Sequence, residues 1–257
     1  MNIEHGSRRR FLKCGAIGIG SAVMFSSCVP PPAGNAVQAN LNAGDARPGD
    51  ADKKPGDEIE VTAVEDLMRE HGVLRRALLI YSEAALRLRK NTSEVSPDAL
   101  QKTAKLFRRF GEDYHETMIE EAFIFPKIRE NGSLEAAKYP DILTIQHARG
   151  REITDHIISV TGGAKINANS GPFADTLDGF VRMYNHHAAR EDTIIFPAWK
   201  DVLTPDEYDE LNDKFEEIEH QQFGEDGFED AVNQIGEVEA ALELDDISKF
   251  TPPPILA

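Results

Sequence analysis

Residues 185–197 read "NHHAAREDTIIFP". Two histidines, a glutamate and an aspartate stand ahead of an apolar run that ends in proline. A near copy, "YHETMIEEAFIFP", occupies residues 114–126. Superposing Pro126 on Pro197 places Tyr114 on Asn185, His115 on His186, Glu116 on His187, Glu120 on Glu191, Glu121 on Asp192 and Phe125 on Phe196. Upstream of each copy a second match appears: "MREHGVLRR" around His71 is similar to "TIQHARGRE" around His147. The chain therefore holds one unit twice, a His-bearing helix followed by a helix with a His/Glu turn ahead of Phe-Pro. Two such hairpins are expected to face each other across a pseudo-twofold axis.

The surrounding pattern is helical. Val64, Leu67, Met68, His71, Leu74 and Leu78 recur at three- and four-residue steps. Thr62 with Glu65 reads as a capping box at the first helix start. Ser96-Pro97 opens a second helix that runs toward Asn131-Gly132. A third runs from near Tyr139-Pro140 to Gly162-Gly163, and a fourth from Gly171-Pro172 to about Val202. Thr204-Pro205-Asp206-Glu207 starts a fifth, with acidic helical pieces to about Leu244. No stretch alternates as a strand does. The expected fold is all-α: an antiparallel four-helix bundle over residues 59–203, with extra C-terminal helices in an acidic extension over 204–257.

Helix projection selects the inward side chains. Residues four apart lie about 40° apart around the axis, and residues five apart about 140°. In the fourth helix the apolar stripe is Leu177, Val181, Tyr184, Ala188 and Ile195, with His187 and Glu191 together on its edge. His186 points away. In the second helix the stripe is Leu106, Phe110, Thr117 and Ile124, with Glu116 and Glu120 on the matching edge. His115 is five residues from Glu120 and faces outward in a regular helix; a π-bulge, common at functional sites, would turn it inward as a ligand. His71 lies in the first stripe, and His147 in the third beside Leu143 and Gly150.

Unpaired charge is costly to bury, so four helices aiming His and carboxylate at one level imply a compensating ion. The candidate ligands are His71, His115, Glu116, Glu120, His147, His187 and Glu191. The only cysteines are Cys14 and Cys28, so the helical region has no thiolate to offer. Imidazole with carboxylate suits iron, manganese or zinc. Carboxylates from opposite helices can each bridge two cations, which favours a dinuclear site.

These segments, roughly residues 60–200, resemble the hemerythrin-like, or His-His-Glu cation-binding, family. "HAAREDTIIFP" at 187–197 is similar to its H-x-x-x-E…F-P signature, and the His71 and His147 helices complete the set. The resemblance implies a four-helix bundle with two iron ions in a non-haem centre. It implies His71, His147 and His187 as ligands and Glu120 and Glu191 as bridges. Two departures stand out. Where oxygen carriers have a second histidine four residues after the third-helix histidine, this chain has Arg151. Ten residues before the first proline stands Glu116 rather than histidine. The site reads as richer in carboxylate, which stabilises ferric iron over reversible dioxygen binding. His156 and His220 fall outside the ligand set. The expected function is binding of dioxygen, nitric oxide or peroxide. The alternatives are a di-iron oxidoreductase, acting by peroxide reduction, Fe(II) oxidation or nitrosative-damage repair, and a structural metal-binding bundle in which manganese or zinc could stand for iron. The redox partner is unknown.

The N-terminus reads as an address. "SRRRFLK" at 7–13 and the short apolar stretch "CGAIGIGSAVMFSSC" at 14–28 resemble a twin-arginine (Tat) signal peptide over residues 1–28. "FSSC" at 25–28 resembles a lipoprotein box, which would anchor Cys28 to a membrane outside the cytoplasm. Residues 29–58 are rich in Pro, Gly, Ala and Asp and read as a disordered linker. By resemblance the Tat route carries folded, cofactor-loaded proteins. Residues 1–28 carry a local charge of +3 within a formal net charge of −17, so the remainder carries −20. Such a body repels nucleic acid, which is excluded as a partner.

Overall fold

The structure is a computed structural model, described here for residues 61–91, 95–224 and 226–255. The export signal, Cys14, Cys28 and the linker lie outside these residues. Thr62–Ala257 form one compact unit. Among the described residues there is no strand, and no helix is long and apolar enough to cross a membrane.

Helix α1 spans Ala63–Lys90. The second rod is continuous from 97 to 131: α2 (Pro97–Leu106), a π-helical stretch π1 (Phe107–Ile124) and α3 (Phe125–Asn131). After a 3-10 turn (Ala136–Lys138) comes α4 (Pro140–Thr161). The fourth rod joins α5 (Ser170–Arg190), π2 (Glu191–Ile195) and α6 (Phe196–Asp201). Residue pairs along the rods show their directions. His71 meets Asp192 near one end of α1 and Arg89 meets Asp175 near the other, so the first and fourth rods are antiparallel. Gln101 reaches Ile158 and Arg129 reaches Asp141, so the second and third are too.

The core is aromatic, with Tyr81, Phe107, Phe125, Phe180, Phe196 and Trp199 all buried. Edge-on contacts at 4.9–5.4 Å link Phe107, Phe180, Tyr184 and Tyr81 below the histidines. Ser96 caps α2 by accepting from the Ala99 amide. At Thr62 only half of the expected box forms, the Glu65 amide donating to Thr62 Oγ1 at 3.4 Å. The rest of the cap comes from the C-terminal extension: Asn212 Oδ1 accepts from the Ala63 amide at 2.8 Å and Tyr208 Oη from the Val64 amide at 3.2 Å. Both belong to α7 (Pro205–Phe223), whose own start is a complete Thr204–Glu207 capping box. Trp199 stacks on Phe215 of α7 at 5.6 Å. Helix α8 (Gly227–Ala241) is tied to α1 by a two-pronged Arg76–Glu239 ion pair. The extension is thus packed on the bundle and closes the end where α1 begins.

Two expectations on the stripes fail, and the first is Met68 on α1, which is exposed. The second is Thr117, which is exposed, not inward. The π-helix holds more residues per turn than an α-helix, which rotates this part of the rod. The Thr117 hydroxyl donates to the Glu112 carbonyl five residues back.

Candidate metal centre

His71, His115, Glu116, Glu120, His147, His187 and Glu191 are all buried. The π-helix brings His115 inward. Aligning the prolines matched Glu120 with Glu191 and Glu121 with Asp192, and those pairs do correspond in space. It mismatched the histidines. The counterpart of His187 is His115, eleven residues before its proline against ten. The second rod holds one extra residue between histidine and carboxylate, and the wider π turn absorbs it.

The histidines form two pairs, one per hairpin. His71 Nε2 and His115 Nε2 are 3.0 Å apart, as are His147 Nε2 and His187 Nε2. Every ring is oriented from behind through its Nδ1. The acceptors are Asp192 for His71 at 2.6 Å, Glu70 for His115 at 2.6 Å, Glu121 for His147 at 2.8 Å and Gln146 Oε1 for His187 at 2.9 Å. An acceptor at Nδ1 fixes the proton there and turns the Nε2 lone pair inward. Phe196 stacks on His71 at 5.3 Å and Phe125 on His147 at 5.5 Å, so the phenylalanine of each Phe-Pro braces a histidine of the opposite hairpin.

Between the pairs lie two carboxylates. Glu120 Oε1 is 3.3 Å from His115 Nε2, and its Oε2 is 3.4 Å from His147 Nε2. Glu191 Oε2 is 3.5 Å from His71 Nε2, and its Oε1 is 2.9 Å from His187 Nε2. Each carboxylate therefore offers one oxygen to each pair. All four oxygens are buried without a hydrogen bond. Lone pairs facing lone pairs at 3.0 Å, beside orphaned buried carboxylates, repel one another unless positive charge sits among them. The residues thus fit cations, with two nitrogens and two oxygens at each of two positions.

In the metal-free protein, protons fill the same need. Burial opposes the charged form of His115, but Glu120 and Glu70 outweigh it and hold its pKa well above the usual histidine value. Burial likewise opposes charge on His147, and Glu116, Glu120 and Glu121 raise it to about 10. Glu120 resists the burial that would protonate it, because His115 and His147 hold it well below the ordinary carboxylate range.

Glu116 stands to one side. Its Oε1 accepts from Tyr184 Oη at 2.7 Å, and its Oε2 is 3.4 Å from Arg151 and 3.9 Å from His147 Nδ1. It touches the rear nitrogen of His147, not the face between the pairs, so it does not join the four inward donors of either position. The inward histidine slot that Glu116 appeared to leave empty is filled by His115. Arg151 binds Glu121 at 2.7 Å. His186 is exposed, as its register required, and His156 and His220 are exposed too. A cavity of about 10 Å³ adjoins the donors, walled by Leu74, Leu78, Ala188 and Tyr184. Gly150 makes room for Tyr184, since a Cβ there would stand 2.0 Å from its hydroxyl.

Sequence reasoning missed the acceptors behind the rings: Glu70, Gln146, Glu121 and Asp192. The repeat already matched Glu121 with Asp192 and set Glu70 opposite Gln146, and that pairing was their signal.

No solved structure matches the chain. Two proteins, named Uncharacterized protein Mb2018 of Mycobacterium bovis and Uncharacterized protein Rv1995 of Mycobacterium tuberculosis, are each 40% identical over 249 residues. That alignment covers 95% of this chain and 91% of each relative. Residues 62–199, more than half of the chain and the stretch that carries both histidine pairs and both inward carboxylates, match the Hemerythrin HHE cation binding domain, and the protein belongs to that family.

Proposed function

We propose that the protein is an exported non-haem di-iron protein that binds dioxygen or a related small ligand such as nitric oxide or peroxide. The observation that carries this reading is the facing of two Nε2 pairs across two carboxylates that receive no hydrogen bond. His71 and His115 would hold one ion, and His147 and His187 the other, with Glu120 and Glu191 shared. Nitrogen and carboxylate donors without thiolate suit iron. Two iron ions would supply exchangeable electrons to a bound ligand. The protein contributes selection. A cavity of about 10 Å³ has room for a water-sized guest, and Leu74, Leu78 and Ala188 give it an apolar wall.

Tyr184 favours the second reading, a di-iron oxidoreductase. Tyr184 lines the cavity, and its hydroxyl donates to Glu116. Burial and then Glu116 hold its pKa well above the usual phenol value, so it keeps a proton beside the ligand space. Purified protein should contain close to two iron ions per chain, and its visible spectrum should change reversibly as dioxygen is admitted and removed. Sustained peroxide turnover without that reversibility would favour the enzyme. One zinc and no iron per chain would sink both readings.

Export rests on "SRRRFLK" and "FSSC". The Arg8→Lys, Arg9→Lys double variant should leave precursor in the cytoplasm, and Cys28→Ala should release the exported domain from the membrane. Efficient export of the first, or membrane retention of the second, would refute the corresponding step.

A further inference from the structure

We propose that the two cation positions are unequal, and that the exchange of Glu70 for Gln146 between the repeats makes them so: the position between His71 and His115 holds its ion more tightly and fills first. This rests on the two-cation reading above. Apart from Glu116 near His147 Nδ1, the groups behind the four rings are otherwise matched. Asp192 accepts from His71 and is paired with Arg75; Glu121 accepts from His147 and is paired with Arg151. Arg75 and Arg151 are themselves repeat-related, four residues after His71 and His147. The residue just before each of those histidines breaks the match. Glu70 is buried and accepts from His115 Nδ1 at 2.6 Å, steadied by the Tyr114 hydroxyl at 3.2 Å. Gln146 is half-buried and offers His187 only a neutral amide oxygen, at 2.9 Å.

An anionic acceptor draws more strongly on the Nδ1 proton than an amide does, and leaves the opposite nitrogen more electron-rich. Both histidines of the first pair have such a partner, and only His147 of the second. Glu116 adds negative charge near His147, but it hydrogen-bonds to Tyr184, lies beside Arg151 and makes no hydrogen bond to an imidazole. Its influence is through space and partly neutralised. Changes to such rear partners alter metal affinity by roughly 10–100-fold.

The test is a calorimetric titration of the metal-free chain with Zn²⁺, which avoids redox chemistry. Wild type should bind two ions in two resolved steps, at least about 10-fold apart in Kd. Gln146→Glu should draw the steps together by strengthening the weaker one. Glu70→Gln should draw them together by weakening the tighter one; it keeps the side-chain shape and removes a buried charge, so the fold is retained, which far-UV circular dichroism checks. Glu116→Gln should leave the steps apart. Two ions bound in one unresolved step by wild type, or a separation that neither Gln146→Glu nor Glu70→Gln changes, overturns the inference and leaves the two-cation reading intact. Failure to bind two ions at all overturns that reading as well.

Discussion

His187 is buried with its Nε2 2.9 Å from Glu191, while the adjacent His186 is exposed and sits by Arg190. His186→Ala should therefore leave iron per chain unchanged, and His187→Ala or Glu191→Ala should lower it sharply, as metal analysis of the three variants would show. The opposite ranking would mean that the register is wrong. A second test concerns Glu112, a fully buried carboxyl that accepts from Thr154 at 2.6 Å and lies 3.0 Å from Arg108. Burial first, opposed by the Thr154 hydrogen bond and reinforced by Glu116, raises its pKa to about 7. A raised acid favours the fold when protonated, so its contribution is full below the unfolded value of about 4.3 and is lost as pH rises through about 7. Glu112→Gln should remove that slope. Relative to wild type, the variant should gain stability across this window, by up to about 3 kcal/mol. Denaturant titrations at pH 5 and pH 8 give the comparison, and parallel pH profiles would refute it.

Element boundaries were legible because each has a local chemical cause. Ser96-Pro97, Asn131-Gly132 and the Thr204–Glu207 box each act on the backbone beside them, and the helices begin and end there. The inward face of the second rod was harder to read. A regular 3.6-residue period sends His115 outward and Thr117 inward, and the structure reverses both. The extra residue between His115 and Glu120 was countable, but its absorption by π-helix depends on tertiary demands: Glu70 on the facing rod holds His115 in place. The rear acceptors were hidden for a related reason. A carboxylate one residue from a ligand, such as Glu121 or Asp192, reads as solvated surface until the facing rod is placed. Nor could the capping of α1 by α7 be read locally, since Asn212 and Ala63 are 149 residues apart. Asn212→Ala should lower unfolding free energy by ~1 kcal/mol, the usual effect of losing a helix cap, with iron content unchanged. Denaturant unfolding with metal analysis tests it; loss of iron would tie α7 to the centre.

For the molecule as a whole, the proposed metal centre would also be a fastening, because all four rods meet there. Removing the bound metal with a chelator should lower the thermal midpoint, since metal-binding energy contributes to folding. Metal uptake must displace protons held by His115 and His147, so the Zn²⁺ Kd should fall as pH rises. The expected slope is about 10-fold per pH unit for each proton released, up to the His147 value of about 10. A pH-independent Kd would show that those histidines are not displaced. Without metal the signs combine differently. The raised His147 contributes stability below the unfolded value of about 6.5 and loses it as pH rises through about 10. The lowered Glu120 contributes above about 4.3 and loses it in acid. The metal-free bundle should be most stable between those limits, and a midpoint scan against pH checks this. The seat of α7 has one more consequence. Trp199 is the only tryptophan in the chain, and it is fully buried in a stack with Phe215 and beside Tyr208. Its fluorescence comes from that single seam, so emission shifting to longer wavelength while ellipticity holds would time the lifting of α7 separately from the melting of the rods, in one unlabelled sample.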